Sequence, residues 1–163
     1  MTLQEARELR TSGKHKEARE LLLALAHKHP DDVVVQYETA CVHDFLGLEA
    51  EAVPFYKAAL GGELPAPLRR GAYTGLGSTY RTLGRFSDAR DTLEQGLAEF
   101  PQANEMRTFL AMAYYNLGEP KLAIESLLQL LAATTNDADL KAYARAIEFY
   151  AQDIDRVWPS GAA

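Results

Sequence analysis

The sequence predicts an all-α fold: a right-handed α-solenoid of four helix–turn–helix hairpins, followed by a C-terminal capping helix. Two series of small residues recur in step, and steps of 34, 37 and 34 residues separate the members of each series. The glycines are Gly13, Gly47, Gly84 and Gly118, and the alanines five places later are Ala18, Ala52, Ala89 and Ala123. A period of this length is typical of a helix pair that stacks on its neighbours to bury its apolar face.

The composition fits one soluble domain, which we expect over residues 1–158, with a short tail at 159–163. Of the 163 residues, 47% are hydrophobic and 25% are charged, as in an ordinary globular protein. The net charge of −6 argues against a nucleic-acid partner and against binding to an anionic membrane. The sequence contains no secretory signal and no membrane-spanning run, and Cys41 is its only cysteine, so we expect a cytoplasmic protein.

The first two hairpins keep the pattern least strictly. We expect them at about 1–32 and 33–65. Thr2 and Glu5 have the spacing of a capping box, which predicts that the first helix begins close to Met1. The step of 37 residues places an insertion of three residues in the segment GGELPAP, where two glycines and two prolines predict a defined turn before the third hairpin.

The third hairpin, at about 68–103, shows the pattern most clearly. Gly77 and Ala89 are small where the two helices of the hairpin cross, because larger side chains would push the helix axes apart. Gly84 ends the first helix, since a residue without a Cβ takes the left-handed conformation at little cost. Pro101 closes the hairpin, because proline cannot continue a helix.

The segment AYTGLGSTYRTLGRFSDARDTLEQGLAEFP closely resembles the tetratricopeptide repeat family. The matching positions are Tyr73, Leu76, Gly77, Tyr80, Gly84, Phe86, Ala89, Leu93 and Pro101. The second and third hairpins and the long terminal helix also look like the bacterial tetratricopeptide repeat group 5 proteins. These resemblances imply a small bacterial scaffold that acts through protein–protein contacts, alone or as a dimer, without a cofactor.

The fourth hairpin, at about 104–137, is followed by a segment that predicts a terminal helix at about 138–157. An apolar stripe runs along this segment at helical spacing, through Leu140, Tyr143, Ile147, Tyr150, Ile154 and Val157. The last hairpin of a solenoid exposes an apolar face, and a terminal helix with a polar outer side covers it in many solenoids. We therefore expect this helix to act as a cap.

The resemblance implies that the first helix of each hairpin lines a concave groove. Counted from each glycine, the groove candidates are Arg7, Arg10, Tyr37, Cys41, Asp44, Phe45, Thr74, Ser78, Arg81, Thr108, Met112, Tyr115 and Asn116. We expect the groove to hold an extended or helical peptide, with Tyr37, Phe45 and Tyr115 as apolar anchors. Arg10 and Arg81 would bind a carboxylate of the peptide. The alternative to a binding groove is that all these side chains belong to an ordinary solvated surface.

No group of residues indicates catalysis or metal binding. His43 and Asp44 resemble a metal-binding dyad, but His43 falls where the other hairpins place a core tyrosine, so we expect a packed histidine. We expect Cys41 to be unreactive, because the nearby Asp44 raises rather than lowers the pKa of its thiol. The sequence therefore predicts a protein that is not an enzyme.

Self-association is the other function that the sequence suggests. Phe149, Tyr150 and Trp158 add apolar surface beyond what a cap requires. A homodimer formed through the terminal helix about a two-fold axis would bury these side chains.

Overall fold

The computed structural model describes residues 1–158, which form helices without any β-strand. The helices are α1 (Leu3–Thr11), α2 (His15–Lys28), α3 (Val33–Phe45), α4 (Glu49–Leu60), α5 (Ala66–Thr82), α6 (Phe86–Glu99), α7 (Asn104–Asn116), α8 (Pro120–Thr134) and α9 (Ala138–Tyr150). Helices α1–α8 pair in sequence as four antiparallel hairpins, and each hairpin packs on the next. The predicted all-α solenoid is confirmed.

The turns within the four hairpins share one backbone geometry. Their glycines have φ values of 79°, 72°, 74° and 82°, in the left-handed region that favours glycine. After each glycine, the next amide donates to a carbonyl five residues earlier, as in the Lys14–Leu9 bond of 2.8 Å and the Arg85–Tyr80 bond of 2.8 Å. The predicted glycine stops are confirmed, and they give all four hairpins the same shape.

Complementary side-chain sizes hold the helices together. Within the third hairpin, a Cβ on Gly77 would lie 2.5 Å from Cγ of Leu93, so only glycine allows this crossing. Between the third and fourth hairpins, a Cβ on Gly96 would lie 2.6 Å from the sulfur of Met106. Both Leu93 and Met106 are fully buried. The small residues of the repeat therefore set how closely the helices approach.

The start of the chain and the loop between α4 and α5 agree with the sequence-based prediction, with one difference. Thr2 and Glu5 form the predicted capping box at the first turn of α1. The inserted residues are only partly loop, because α5 begins at Ala66 and extends for 17 residues. Arg69 in its first turns donates to the carbonyl of Leu60 and pairs with Glu99 of α6, which fixes this loop against the third hairpin.

The terminal helix is shorter than the sequence predicts. It ends at Tyr150 rather than near residue 157, and the following segment folds back against α8. Lys121 of α8 pairs with Asp153 and Asp155, and these contacts favour a return along α8 over a longer helix. The predicted tail at 159–163 lies outside the described residues.

One apolar face of the last hairpin remains open. Leu127 and Leu131 of α8 stand 34 residues after Leu93 and Leu97 of α6, which contribute to the core between the third and fourth hairpins. Leu127 is 40% exposed and Leu131 is 38% exposed. Helix α9 packs against α8 but has almost none of the packing on α7 that α5 makes on α3 and that α7 makes on α5. The cap therefore leaves this face uncovered.

Candidate binding groove

Polar contacts join the first helices of the hairpins into one layer. Helix α1 reaches α3 through two arginines that pair with one carboxylate, and helix α3 reaches α5 through an aspartate that accepts from a threonine. Helix α5 reaches α7 through one ion pair and one arginine–asparagine bond. The pairs are Arg7 and Arg10 with Glu38, Asp44 with Thr79, Arg70 with Glu105, and Arg81 with Asn116. These contacts form the floor of the predicted groove.

Arg7 and Arg10 lie on the groove, but both already have a carboxylate partner. The Nε atom of Arg7 lies 2.8 Å from Oε1 of Glu38, and Arg10 pairs with the other oxygen of the same carboxylate. The Glu38 side chain is buried, whereas both guanidinium groups are partly exposed. The chain therefore supplies the first carboxylate for Arg10 itself, and binding of a ligand carboxylate there stays a prediction.

Asp44 is part of the wall between helices rather than a free groove residue. Its carboxylate accepts hydrogen bonds from the hydroxyl of Tyr56, at 3.2 Å, and from that of Thr79, at 2.9 Å. Burial raises the pKa of the Asp44 carboxyl, and the two hydroxyl donors partly offset this rise. Asp44 thus links α3, α4 and α5.

Tyr37 and Cys41 are also less accessible than the sequence suggests. Tyr37 is half-buried against α5, where a Cβ on Gly71 would lie 2.5 Å from its hydroxyl oxygen. Tyr37 is therefore a packing residue rather than a projecting anchor. Burial raises the pKa of the Cys41 thiol, with hydrogen bonds from Tyr37 and Tyr56 acting in the opposite direction. The cause of the shift is desolvation and not the neighbouring Asp44.

The hydroxyl groups along the groove bond to their own helices. Thr74 donates to the carbonyl of Arg70 at 3.0 Å, and Ser78 donates to that of Gly75 at 2.9 Å. Thr108 donates to the carbonyl of Asn104 at 3.0 Å. Each hydroxyl group has a single hydrogen, which is already donated within the helix. These side chains can therefore accept hydrogen bonds from a ligand but not donate them.

Three large apolar side chains project from the first helices. Phe45 at the end of α3 and Tyr115 near the end of α7 are each 67% exposed, and Met112 is 39% exposed one turn before Tyr115. Arg81, on α5 between these two helices, donates to Asn116 beside Tyr115 at 3.4 Å. The groove therefore presents an aromatic residue at each end and polar groups between them.

An open cavity of about 470 Å³ lies at the N-terminal end of the groove. It is lined by Arg7, Arg10, Thr11, His15, Glu38 and Phe45. The ring of His15 packs on that of Phe45, with 4.0 Å between centroids. We refer to these six residues as the N-terminal pocket.

Two buried side-chain nitrogens in residues 1–158 have no hydrogen-bond partner, and both belong to this surface. They are Nδ1 of His15 in the N-terminal pocket and Nε of Arg81 in the middle of the groove. Unpaired buried polar atoms are uncommon, because each costs the free energy of its lost hydration. Along the part of the chain that the structure describes, both of these unpaired buried atoms thus lie beside the groove.

His43 is a packed core residue. It is almost fully buried; Nδ1 donates to the carbonyl of Thr39 at 2.7 Å, and Nε2 accepts from Nε of Arg19 at 3.0 Å. Burial lowers the pKa of His43, and the charge of Arg19 lowers it further. Within residues 1–158, no three His, Cys, Asp or Glu side chains are grouped as metal ligands. In the same range, no helix is long and apolar enough to cross a bilayer.

Glu38, Thr79 and His15 contribute to this surface but were absent from the sequence prediction. Glu38 and Thr79 lie beside the predicted positions and contact the preceding first helix, so counting from the glycines did not include them. The pair of arginines at Arg7 and Arg10, three residues apart on one helix, was the available signal for a buried acid nearby. His15 belongs to the start of a second helix, which the prediction did not include.

The aromatic residues after α9 form a cluster on the surface. The ring centroid of Trp158 lies 5.2 Å from that of Phe149 and 5.7 Å from that of Tyr150, and Arg156 lies over the indole at 5.0 Å. All three aromatic side chains are about half exposed. They therefore remain available for contact with another molecule.

Comparisons with known proteins agree with this architecture. The family model described as tetratrico peptide repeat, of group 5, matches residues 33–154. A crystal structure of MamA superposes with a TM-score of 0.70 at 19% identity, over 93% of this chain and 94% of that one. Two crystal structures show the nearly identical TPR-like repeats of a putative kinesin light chain from Podosopora anserina. Both are 27% identical to this chain, with TM-scores of 0.65 and 0.64, over 91% of this chain and 87% of theirs. No curated protein matches the chain.

Proposed function

The chain belongs to the tetratricopeptide repeat family, and from this premise we propose that it is a non-catalytic interaction module whose concave groove binds a peptide segment of a partner protein. Such repeats are generally protein-interaction modules. The observation that carries the proposal is the pair Phe45 and Tyr115, two largely exposed aromatic side chains on the first-helix layer. Exposed aromatic residues on a rigid surface are typical anchors of protein interfaces.

Binding requires little rearrangement of the groove. Its floor is fixed by the contacts of Glu38, Asp44 and Glu105 between neighbouring helices. A peptide therefore loses its own conformational entropy, while the receptor loses little. The aromatic side chains at the two ends supply apolar contacts. Arg81, on the helix between them, and Asn116, beside Tyr115, supply polar groups for the peptide backbone.

Selection from a library of random displayed peptides tests the proposal, since it requires no identified partner. We expect the intact protein to enrich a related set of sequences. The double variant Phe45→Ala/Tyr115→Ala should lose at least about tenfold in affinity for them, since anchor residues each contribute about 1–2 kcal/mol or more. Its unfolding midpoint should stay close to that of the parent, because both side chains are exposed.

A matched control removes an exposed apolar side chain elsewhere. Leu83→Ala, in the turn of the third hairpin, should bind the selected peptides as the parent does. Equal affinity of the parent and of Phe45→Ala/Tyr115→Ala for every selected peptide would contradict the groove proposal.

As a second candidate, we propose that the chain forms a homodimer through its C-terminal end. Two observations favour it: the uncovered face at Leu127 and Leu131, and the half-exposed aromatic cluster of Phe149, Tyr150 and Trp158. The opposite end of the solenoid is polar on its outer side, where Gln4, Glu8 and Glu20 are exposed. An apolar surface at one end alone favours a closed two-fold pair over a head-to-tail filament.

Light scattering behind a sizing column tests this candidate. A dimer has twice the chain mass of 18.0 kDa, and Leu127→Asn/Leu131→Asn should return it to the monomer mass without unfolding it. Leu83→Asn is the matched control, because it adds the same polar group at another exposed leucine. A monomer at all concentrations would rule out this candidate and would leave the groove proposal intact.

We also propose a cytoplasmic location and a function without metal or cofactor. The first rests on a single half-buried cysteine, Cys41, which has no partner within the chain for a disulfide. The second rests on a binding surface built from packed and exposed side chains rather than from converging ligands. Fractionation of cells and metal analysis of the purified protein test these two statements.

A further inference from the structure

The N-terminal pocket contains more positive charge than its own acid neutralises. Arg7 and Arg10 together face the single carboxylate of Glu38. A guanidinium group carries five N–H donors, and within residues 1–158 the polar side-chain partner of each of these two groups is Glu38 alone, bonded through one nitrogen. Both groups are partly exposed beside the cavity, so most of their donors are free to bind a second anion.

The charge distribution of the chain favours an anion at this end. The first 30 residues contain six Lys and Arg against four Asp and Glu, whereas the rest of the chain contains eleven against nineteen. The net charge therefore favours an acidic ligand at the N-terminal end of the chain over the rest, which is net negative. The buried Glu38 also holds the two guanidinium groups in place, which lowers the entropic cost of binding a second carboxylate.

An apolar platform adjoins these cations. Phe45 is largely exposed, and its ring packs on His15, so the two rings form one wall of the pocket. His15 also brings a buried Nδ1 atom without a hydrogen-bond partner. The pocket thus combines guanidinium donors and an aromatic surface within a cavity of about 470 Å³, which is large enough for two neighbouring side chains of a peptide.

We infer that the N-terminal pocket selects peptides in which an Asp or Glu side chain lies next to an aromatic residue. The carboxylate bonds to the free N–H groups of Arg7 and Arg10, and the aromatic ring packs on Phe45. This inference rests on the proposed groove function and specifies the chemistry of its ligand. The carboxylate is that of a side chain, with the rest of the peptide along α3, α5 and α7, and a probe with a free terminus tests this assignment.

Nuclear magnetic resonance titration of the 15N-labelled protein tests the inference with capped dipeptides. The probe is N-acetyl-Glu-Phe-amide, and the matched controls are N-acetyl-Gln-Phe-amide and N-acetyl-Glu-Ala-amide. We expect saturable shifts of the amide signals of Thr11, His15 and Phe45 with the Glu-Phe probe. Affinity should fall about tenfold for each control, because one lacks the charge-assisted bonds and the other lacks the ring contact. N-acetyl-Phe with a free carboxylate tests whether a chain terminus binds instead.

Variants of the protein separate a binding role from a structural one. Phe45→Ala should weaken the Glu-Phe probe about tenfold without changing the fold, and Arg10→Gln should reduce the preference for Glu over Gln. Arg85→Gln is the control, since Arg85 pairs with Asp88 on an exposed surface away from the pocket. If Arg10→Gln does not fold, the comparison of the Glu and Gln probes on the intact protein still decides the question.

The outcomes distinguish this inference from the groove proposal. Equal binding of the Glu-Phe and Gln-Phe probes at the pocket would overturn carboxylate selection and leave the groove proposal standing. Stronger binding of the free-terminus probe would overturn the assignment to a side chain. If library selection yields groove-binding peptides without acidic residues, the inference fails alone. If it yields none that depend on Phe45 or Tyr115, the groove proposal fails as well.

Discussion

Gly96 of α6 lies directly against Met106 of α7, so that a Cβ on the glycine would be 2.6 Å from the methionine sulfur. The same position in the second hairpin is Ala59, in the same core cluster as Ala72 of α5. At the junction between the third and fourth hairpins a large residue thus faces a glycine, whereas at the junction between the second and third hairpins two alanines take these places. This complementarity fixes the spacing between hairpins, and it explains why the solenoid holds its shape without a strict consensus sequence.

Replacement of Gly96 by alanine should lower the free energy of unfolding by about 1–3 kcal/mol, because the added methyl group overpacks this junction. The nearest atoms include Cβ of Tyr73 at 2.8 Å, which belongs to a helix and cannot move aside easily. Urea denaturation followed by circular dichroism measures the change. Gln95→Ala, at an exposed position of the same helix, is the control. A Gly96→Ala protein more stable than the parent would show that helix propensity outweighs packing here.

Removal of both arginine partners of Glu38 should destabilise the protein strongly. Arg7→Gln/Arg10→Gln leaves a buried carboxylate without a counter-charge, a change that typically costs about 3–5 kcal/mol. Adding Glu38→Gln to the same protein should recover part of this loss, since the uncompensated charge is then absent. Urea titrations of the double and the triple variant measure both effects. A triple variant less stable than the double one would contradict this account of the ion pairs.

The stability of the protein should fall as the pH drops below about 6.5, in part because of His43. Burial lowers the pKa of His43 in the folded protein below its ordinary value of 6.5. The unfolded chain therefore binds more protons than the folded one between these two pKa values, so stability is complete above pH 6.5 and decreases as the pH falls through this window. Protonation of Nε2 also removes the bond from Arg19.

The variant His43→Tyr should show a flatter dependence of unfolding free energy on pH. Tyrosine is compatible with this position, because Tyr80 and Tyr114 stand there in the third and fourth hairpins. His27→Gln, which changes an exposed histidine, should keep the slope of the parent between about pH 7 and pH 5.5. Identical slopes for the parent and His43→Tyr would show that His43 does not contribute to the pH dependence.

The single tryptophan reports on the segment that follows α9. Lys121 pairs with Asp155 at 3.2 Å and with Asp153, and this holds the segment near α8 while Trp158 packs on Phe149. Lys121→Gln should therefore make the indole more accessible to acrylamide, with a higher quenching constant. The unfolding midpoint should change little, because ion pairs between exposed groups contribute little to stability. Unchanged quenching would mean that the aromatic cluster alone holds the segment.

Periodicity predicted the architecture well because it depends on local rules. The left-handed φ values at Gly13, Gly47, Gly84 and Gly118 follow from the steric freedom of glycine, and the closeness of Gly77 to Leu93 follows from helix packing. The length of the terminal helix depends on a non-local contact, the pairing of Lys121 with Asp153, which periodicity cannot reveal.

The groove was predicted less well, for a related reason. Counting from the glycines placed Phe45, Met112 and Tyr115 on the exposed side, where the structure has them. Counting did not show that the Glu38 carboxylate pairs with Arg7 and Arg10. This pairing depends on how α1 packs against α3, and the paired residues are 28 to 31 positions apart in the sequence. Contacts between hairpins decide which polar groups remain free.

Amide hydrogen exchange with and without a selected peptide tests the central claim most directly. The account predicts slower exchange on peptide binding in α3, α5 and α7, strongest near Phe45 and Tyr115, with α4 and α6 unchanged. Protection confined to the second helices, or to α8 and the segment after α9, would contradict the claim that the concave first-helix layer is the binding surface.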